Sequence, residues 1–532
     1  MNKFIASALG ILLLIGAGAQ AFASSPVEFS GYVKVFHESL SNFSKAARNP
    51  VDRDNFFSNK LNINVRFQPN DNVMVFWQFR GPNYQRFGMG NTALFTRALY
   101  GQIETSWGTI RGGHIVDGLP GTVGGLASFG YAPAYGDEFL YNNVFDMNSP
   151  IDALTYSNKW ELAGGSKLGL AVYYGKLGAN LMQYDATSGE WDSENVITGQ
   201  YPTLLGYQGP APTGLTYIQH KDIDYDVFGA EGTFEWETGG LGLGLEYSRN
   251  MTDPGVKKDR AFFVNPSFFQ AFGPVTLHFE GKYGWGERTY DKKFANDAIW
   301  KRLEDEFVGH PWDGTLENKG LGLYLDAVWD YGQGDVTLAG WYVSGTDLDN
   351  DREKLNSLVN LGDFAPFLVA FNDQTLGNGH FSDNMGQRWI DRADSTTGFT
   401  DFNSGQSNQM GVGILGNHTL VPDKVSINYG IGYFRLVKPA IVWYEQASKD
   451  YVSVPFLPRN MTASVNRRPQ SKDLGWEIDL GAKFQIMENV SFETQFGYFF
   501  SGDAFDTWDS KSKGWVHAKD TFAWASVLSF SF

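Results

Sequence analysis

"KLNINVRFQPNDNVMVFWQFRG", residues 60 to 81, holds two alternating runs around Pro69, Asn70 and Asp71. Leu61, Ile63, Val65 and Phe67 point to one side and Asn62, Asn64, Arg66 and Gln68 to the other. Val73, Val75, Trp77 and Phe79 repeat the pattern against Met74, Phe76, Gln78 and Arg80. A period of two broken by turn residues is a β-hairpin with one apolar face. In a soluble sheet that face is the core; in a transmembrane barrel it meets lipid and the polar face lines a channel. The rest of the chain has to decide between the two.

Working outward, the same alternation predicts strands at about 28–37, 59–69, 71–80, 95–106, 108–115, 152–161, 168–176, 224–237, 241–250 and 258–269. Further strands follow at about 272–284, 319–331, 334–345, 408–420, 424–436, 473–487, 489–501 and 519–532. The count is eighteen, with sixteen the alternative. Tight connections ("PND" at 69–71, "WG" at 107–108, "AGGSK" at 163–167, "TGG" at 238–240, "FGP" at 272–274, "GQG" at 332–334, "PD" at 422–423, "EN" at 488–489) alternate strictly with long ones. Every second connection therefore falls on one side, the asymmetry of a transmembrane barrel with short periplasmic turns and long extracellular loops. The inward parity carries Glu231, Glu235, Glu246, Glu280, Asp326, Glu477, Asp479 and Glu493, a charge density that a dry interior could not satisfy. That face must be wet.

Composition agrees. No stretch after Ser24 reaches the length of an apolar spanning helix, so any spanning is done by strands. The 532 residues contain no Cys, which excludes a disulfide framework and thiolate metal sites. A net charge of −17 argues against a nucleic-acid partner. Aromatics at 16% and 62 Gly fit aromatic girdles and many turns. The first residues, with Lys3, an apolar core and Ala21-Phe22-Ala23, predict a signal peptide over 1–23, leaving 24–532 as a single barrel domain.

The chain ends "FAWASVLSFSF", with Phe522, Trp524, Leu528, Phe530 and Phe532 on one face. An alternating aromatic strand ending in Phe resembles the assembly signal of outer-membrane barrels. With the signal peptide and the sorted loops, the chain resembles the Gram-negative porin superfamily. The resemblance implies an integral outer-membrane protein, a homotrimer surrounded by lipid and lipopolysaccharide, and assembly machinery that reads Phe530 and Phe532. It further implies that the third long loop, about 116–150, folds into the lumen and brings Asp137 and Glu138 to the constriction. Lys34, Arg66, Arg80 and Arg111, inward by parity, would form the facing basic wall and set up a transverse field. Carboxylates outnumber these cations on the inward parity, which predicts a mild cation preference.

Other motifs carry less. "GVGILG" at 411–416 fits the dinucleotide pattern but lies in a strand, where Gly relieves bending and packing. "DLDND" at 347–351 lacks the Gly and closing Glu of a calcium loop. "NDAIWKRLEDEFV" at 296–308 predicts a short loop helix. Eight scattered His and the lack of a nucleophile elbow give no catalytic constellation, so no enzyme and no cofactor is predicted. The leading function is passive diffusion of small hydrophilic solutes and ions. A porin selective for sugars or carboxylates is the alternative, and a barrel enzyme or adhesin a more distant one.

Overall fold

The computed structural model describes residues 27–41, 53–86, 94–115, 151–178, 225–250, 256–290, 313–345, 408–438, 471–505 (with 507–509 and 514–517) and 519–532. Short pieces at 183–185, 190–192, 354–356, 359, 367–369, 441–442 and 468–469 complete the described set. Eighteen of the strands form one closed antiparallel barrel. They are β1 (Val27–Ser41), β2 (Arg53–Asn70), β3 (Val73–Arg86), β4 (Phe95–Thr105), β5 (Gly108–Ile115) and β6 (Ile151–Glu161). Next come β7 (Lys167–Gly178), β8 (Tyr225–Trp236), β9 (Gly239–Asn250), β10 (Val256–Phe272), β11 (Val275–Tyr290) and β12 (Thr315–Asp330). The last six are β13 (Gly334–Val343), β14 (Gln409–Val421), β15 (Val425–Leu436), β16 (Asp473–Met487), β17 (Val490–Ser501) and β18 (Thr521–Ser531). Each pairs with its neighbours in chain order, and β1 pairs with β18 from Tyr32↔Ser531 to Ser41↔Phe522. No sheet edge is left along the wall, so every strand finds both ladders.

The outside is apolar because alternate residues have nowhere else to go. On β9, Leu241, Leu243 and Leu245 are about half exposed while Glu246 is buried; on β12, Leu325 is 57% exposed and Asp326 1%. This is the reverse of a soluble protein, and it needs a hydrocarbon solvent outside. Two aromatic girdles bracket the aliphatic band. Trp107, Trp160, Phe272 and Trp329 stand exposed beside the tight turns. At the other end Tyr174, Phe228, Tyr247, Phe262 and Trp285 touch in series, with centroids 4.8, 6.2, 4.7 and 5.7 Å apart.

One outward position beyond that second girdle, each of the same five strands carries a charge: Lys176, Asp226, Arg249, Arg260 and Glu287. Arg249 meets Asp226 at 2.6 Å, and Lys258 and Arg260 each meet Glu287 at 2.6 Å. Charge directly above aromatic rings marks the depth at which hydrocarbon gives way to headgroups. The tight turns use backbone that side chains resist: Gly273 has φ +63° and Asp423 φ 59°, the left-handed region that Gly and Asp tolerate best.

The terminal Phe532 is tied into the seam. Its N–H donates to the carbonyl of Gly31 at 3.0 Å, and the N–H of Gly31 donates back to Phe532 at 3.0 Å. A Cβ on Gly31 would stand 2.2 Å from the backbone carbonyl oxygen of Asn62 and 2.8 Å from Cζ of Phe532, so the backbone here takes only glycine and the ring seats over it. Phe530 sits on the outer face, in register with Val33 and Val490.

Candidate functional site in the barrel lumen

The inner face of β1 to β5 is rich in cations. Lys34 lies opposite Lys60, and both approach the ring of Tyr32, at 4.3 and 5.9 Å. Arg80 lies opposite Asn62, and Arg66 lies nearer the tight turn, 3.7 Å from Glu28. Arg111 donates to Gln102 Oε1 through Nε and Nη2, at 3.1 and 2.9 Å, and covers the ring of Tyr100 at 4.8 Å. All four cations singled out by parity occupy inner-face positions of this register.

A further cation escapes parity. Strict alternation aims Arg97 outward, because Ala98 shares the face of Tyr100 and Gln102. The β3–β4 register, however, steps from Gln78↔Ala98 to Phe79↔Thr96 and leaves Arg97 as the extra residue of a bulge. Arg97 and Ala98 are consequently both buried, and Arg97 Nη1 donates to Gln78 Oε1 at 3.4 Å. A bulge exists to re-aim one side chain in this way.

Carboxylates populate the opposite arc, β8 to β17: Glu231, Glu246, Glu280, Asp326, Glu477, Asp479 and Glu493. Neutral donors hold several of them. Tyr173 donates its hydroxyl to Glu246 at 3.0 Å, and Tyr324 donates to Asp326 at 2.6 Å, where His278 Nδ1 also sits at 2.5 Å. The sorting is not absolute. Lys282 and Arg288 share this arc, and Lys483 lies opposite Glu493.

Against the acidic arc lies a piece of the long connection between β13 and β14. Phe367, Leu368 and Val369 are wholly buried. The N–H of Leu368 donates to Asp479 Oδ2 at 2.8 Å, and the N–H of Val369 donates to Glu477 Oε1. The wall beneath is cut away by glycine. A Cβ on Gly432 would stand 2.5 Å from Cζ of Phe367, one on Gly413 2.8 Å from it, and one on Gly497 3.0 Å from Cγ2 of Val369. The Phe367 ring meets Phe434 edge-on at 5.2 Å and Trp341 at 6.4 Å. Glycines in β14, β15 and β17 thus form a pocket, two carboxylates of β16 supply acceptors, and a three-residue strap fills it.

Part of this long connection therefore enters the barrel. The loop over 116–150, with Asp137 and Glu138, lies outside the described residues, as do the 296–308 and 347–351 segments and the signal peptide. Among the described residues no group of three or more His, Cys, Asp or Glu side chains could hold a metal ion. Of the inward aromatics, Trp341, Phe434 and Phe499 are 4% exposed or less and pack on one another or on the strap, whereas Tyr32, Phe76 and Tyr100 on the basic side are half-buried, with Phe76 and Tyr100 5.3 Å apart.

No protein-family model and no curated protein matches the chain. Among solved structures, the chain is similar to OccK2 (OpdF) of Pseudomonas aeruginosa, at 12% identity over 95% of this chain and 97% of that one, with a TM-score of 0.46. The same protein has been solved in complex with glucuronate, at a TM-score of 0.45, 12% identity and coverage of 95% and 96%. OmpT, an outer membrane protein of Vibrio cholerae, is similar at 8% identity, 95% and 97% coverage and a TM-score of 0.35.

Proposed function

We propose that this chain is an outer-membrane porin, a water-filled channel for passive diffusion of small hydrophilic solutes and ions. The observation that carries the reading is the inversion of faces: aliphatic side chains outside between two aromatic girdles, and both signs of charge inside, sorted into a basic arc on β1 to β5 and an acidic arc on β8 to β17. A closed wall of this kind has one use for ionised groups aimed at its axis, which is to stay hydrated and act on what passes. The tight turns then face the periplasm and the long connections the exterior.

The sorted charge supports charged solutes over neutral sugars, because a transverse field acts on charge and dipole. With Lys60 and Arg97 beside Lys34, Arg66, Arg80 and Arg111, the basic arc bears six cations among the described side chains, which supports a second reading: a porin that favours carboxylates. A trimer is part of the proposal. It is supported by hydrogen-bonding groups on the outer face near the seam, where Thr494 and Ser526 are 2.8 Å apart and His37 meets Asn55 at 3.0 Å. Such groups suit contact with another copy better than contact with hydrocarbon. The test is reconstitution of the purified barrel into planar bilayers. Stepwise, ohmic conductance is expected, and its absence from protein shown to be folded would remove the reading.

A further inference from the structure

The inner wall between β4 and β8, on the tight-turn side, is hollowed into a recess of about 440 Å³. Glu104, Thr109, Ser157, Lys159, Ala171, Glu231 and Thr233 line it. Gly169, which also lines it, has no side chain to fill the floor. One inward position above, away from the tight turns, stand Arg111, Thr155 and Tyr173, and beyond them Ile115, Ala153 and Val227 complete an apolar cluster with Tyr173 and Ala171. The recess is a wall niche with a polar interior, and the nearest cation above it, Arg111, is held by Gln102.

Its charges are unevenly provided for. Lys159 is neutralised, its Nζ lying 2.8 Å from both oxygens of Glu235. Among the described residues Glu104 accepts from neutral donors only, Gln102 at 2.7 Å and Thr109 at 2.6 Å. Glu231 is 7% exposed and, among the described residues, has no hydrogen-bond or ion-pair partner. A carboxylate that has lost most of its water and gained no donor is several kcal/mol worse off than one in solution, an imbalance that a mobile cation with N–H donors would offset. Among the described residues no constellation here suits a bare metal ion. The volume suits a small organic ion, and the hydroxyls of Ser157 and Thr233 are placed to accept its remaining N–H groups.

We propose that this recess is a binding station for small organic cations, ammonium or guanidinium solutes, with Glu231 as the counter-ion and Glu104 as a second acceptor. The proposal rests on the channel reading, of which it specifies one solute class. Cadaverine, a short diamine, is the probe. In bilayer recordings it should interrupt the current of the unaltered channel in a concentration-dependent way. Glu231→Gln should raise the half-blocking concentration at least tenfold, and Glu104→Gln should raise it a few-fold.

Folding of each variant is checked by the heat-dependent shift in gel mobility that intact barrels show. Glu493→Gln removes the same charge elsewhere on the wall; an equal loss of block there would assign the effect to the lumen's overall field and overturn the station. Unchanged block in a folded Glu231→Gln channel would overturn it as well, as would no block of the unaltered channel. If the protein opens no channels, the porin reading fails by itself. Saturation-transfer NMR of cadaverine with the detergent-solubilised barrel then still decides the recess, since a signal lost in Glu231→Gln supports it and a signal unaffected by the change refutes it.

Discussion

Replacing Phe367 by Ala tests what the strap does. Two kinds of interaction hold it: a ring in the glycine pocket against Phe434 and Trp341, and two backbone N–H donors on Asp479 and Glu477. Truncating a buried Phe to Ala costs about 3–5 kcal/mol. A hydrogen bond to a charged acceptor contributes about 1.5–3 kcal/mol, so the two together match the ring. Losing the ring therefore removes roughly half of the local hold and shifts the balance between docked and undocked strap by about two to three and a half orders of magnitude. The wall does not depend on it, because Phe367 lies outside every ladder of the barrel.

Single-channel recording is the assay. The Phe367→Ala channel should show greater current noise and an added level of higher conductance, with unchanged resistance to heat. A lock provides the converse. Val369 Cγ2 lies 3.0 Å from where a Cβ on Gly497 would stand, within reach of disulfide geometry, and the chain has no Cys to compete. Val369→Cys with Gly497→Cys should quieten the current when oxidised and release it on reduction. If the Phe367→Ala channel keeps the unaltered conductance and noise and the lock changes neither, the strap does not govern the conduction path.

Two other outcomes follow from the same geometry. Changing Arg80 and Arg97 to Gln should move the reversal potential in a salt gradient toward cation preference, because lumenal charges lie within about a Debye length of 8 Å of a passing ion; an Arg97→Gln channel with the unaltered potential would mean that the bulge does not deliver that charge to the path. Deleting Phe532 should lower the yield of assembled barrel in cells and also weaken the seam in vitro, since the deletion removes both the proposed recognition residue and the two hydrogen bonds to Gly31. Full yield together with unchanged heat resistance would contradict both roles.

The wall was legible in the sequence because membrane strands must alternate and tight turns must carry turn residues. The strand count, the inward parity of Lys34, Arg66, Arg80 and Arg111 and the sorting of connections all rest on those two constraints. Strand ends read short where the solvent changes. Alternation stops Val275–Tyr290 at about 284, because Glu287, paired with Lys258 and Arg260, faces outward above the lipid and resembles a loop residue. Arg97 was hidden because a bulge depends on the partner strand's register, which one strand's pattern does not contain. The strap was hidden for a related reason: Gly413, Gly432 and Gly497 form a pocket only once three strands are side by side, although the glycines of "GVGILG" could be read as relieving packing. The recess likewise draws on β4 to β8, so no single segment carries its signature.

The seam between β1 and β18 has a consequence for how the molecule is made. Every other ladder of the barrel joins strands that follow one another along the chain, so each can zip from a hairpin or a single connection. The ladder from Tyr32↔Ser531 to Ser41↔Phe522 alone joins the two ends. Loop-closure entropy grows only as the logarithm of chain length, so the whole intervening sheet adds a modest penalty, but one that no local contact offsets in advance. Folding of this topology is thus gated by its most distant pair, and until β18 arrives both β1 and β17 present open edges able to pair with the wrong chain. The risk is greatest in the interval just before completion, when a nearly finished sheet has two free edges and one strand still to place.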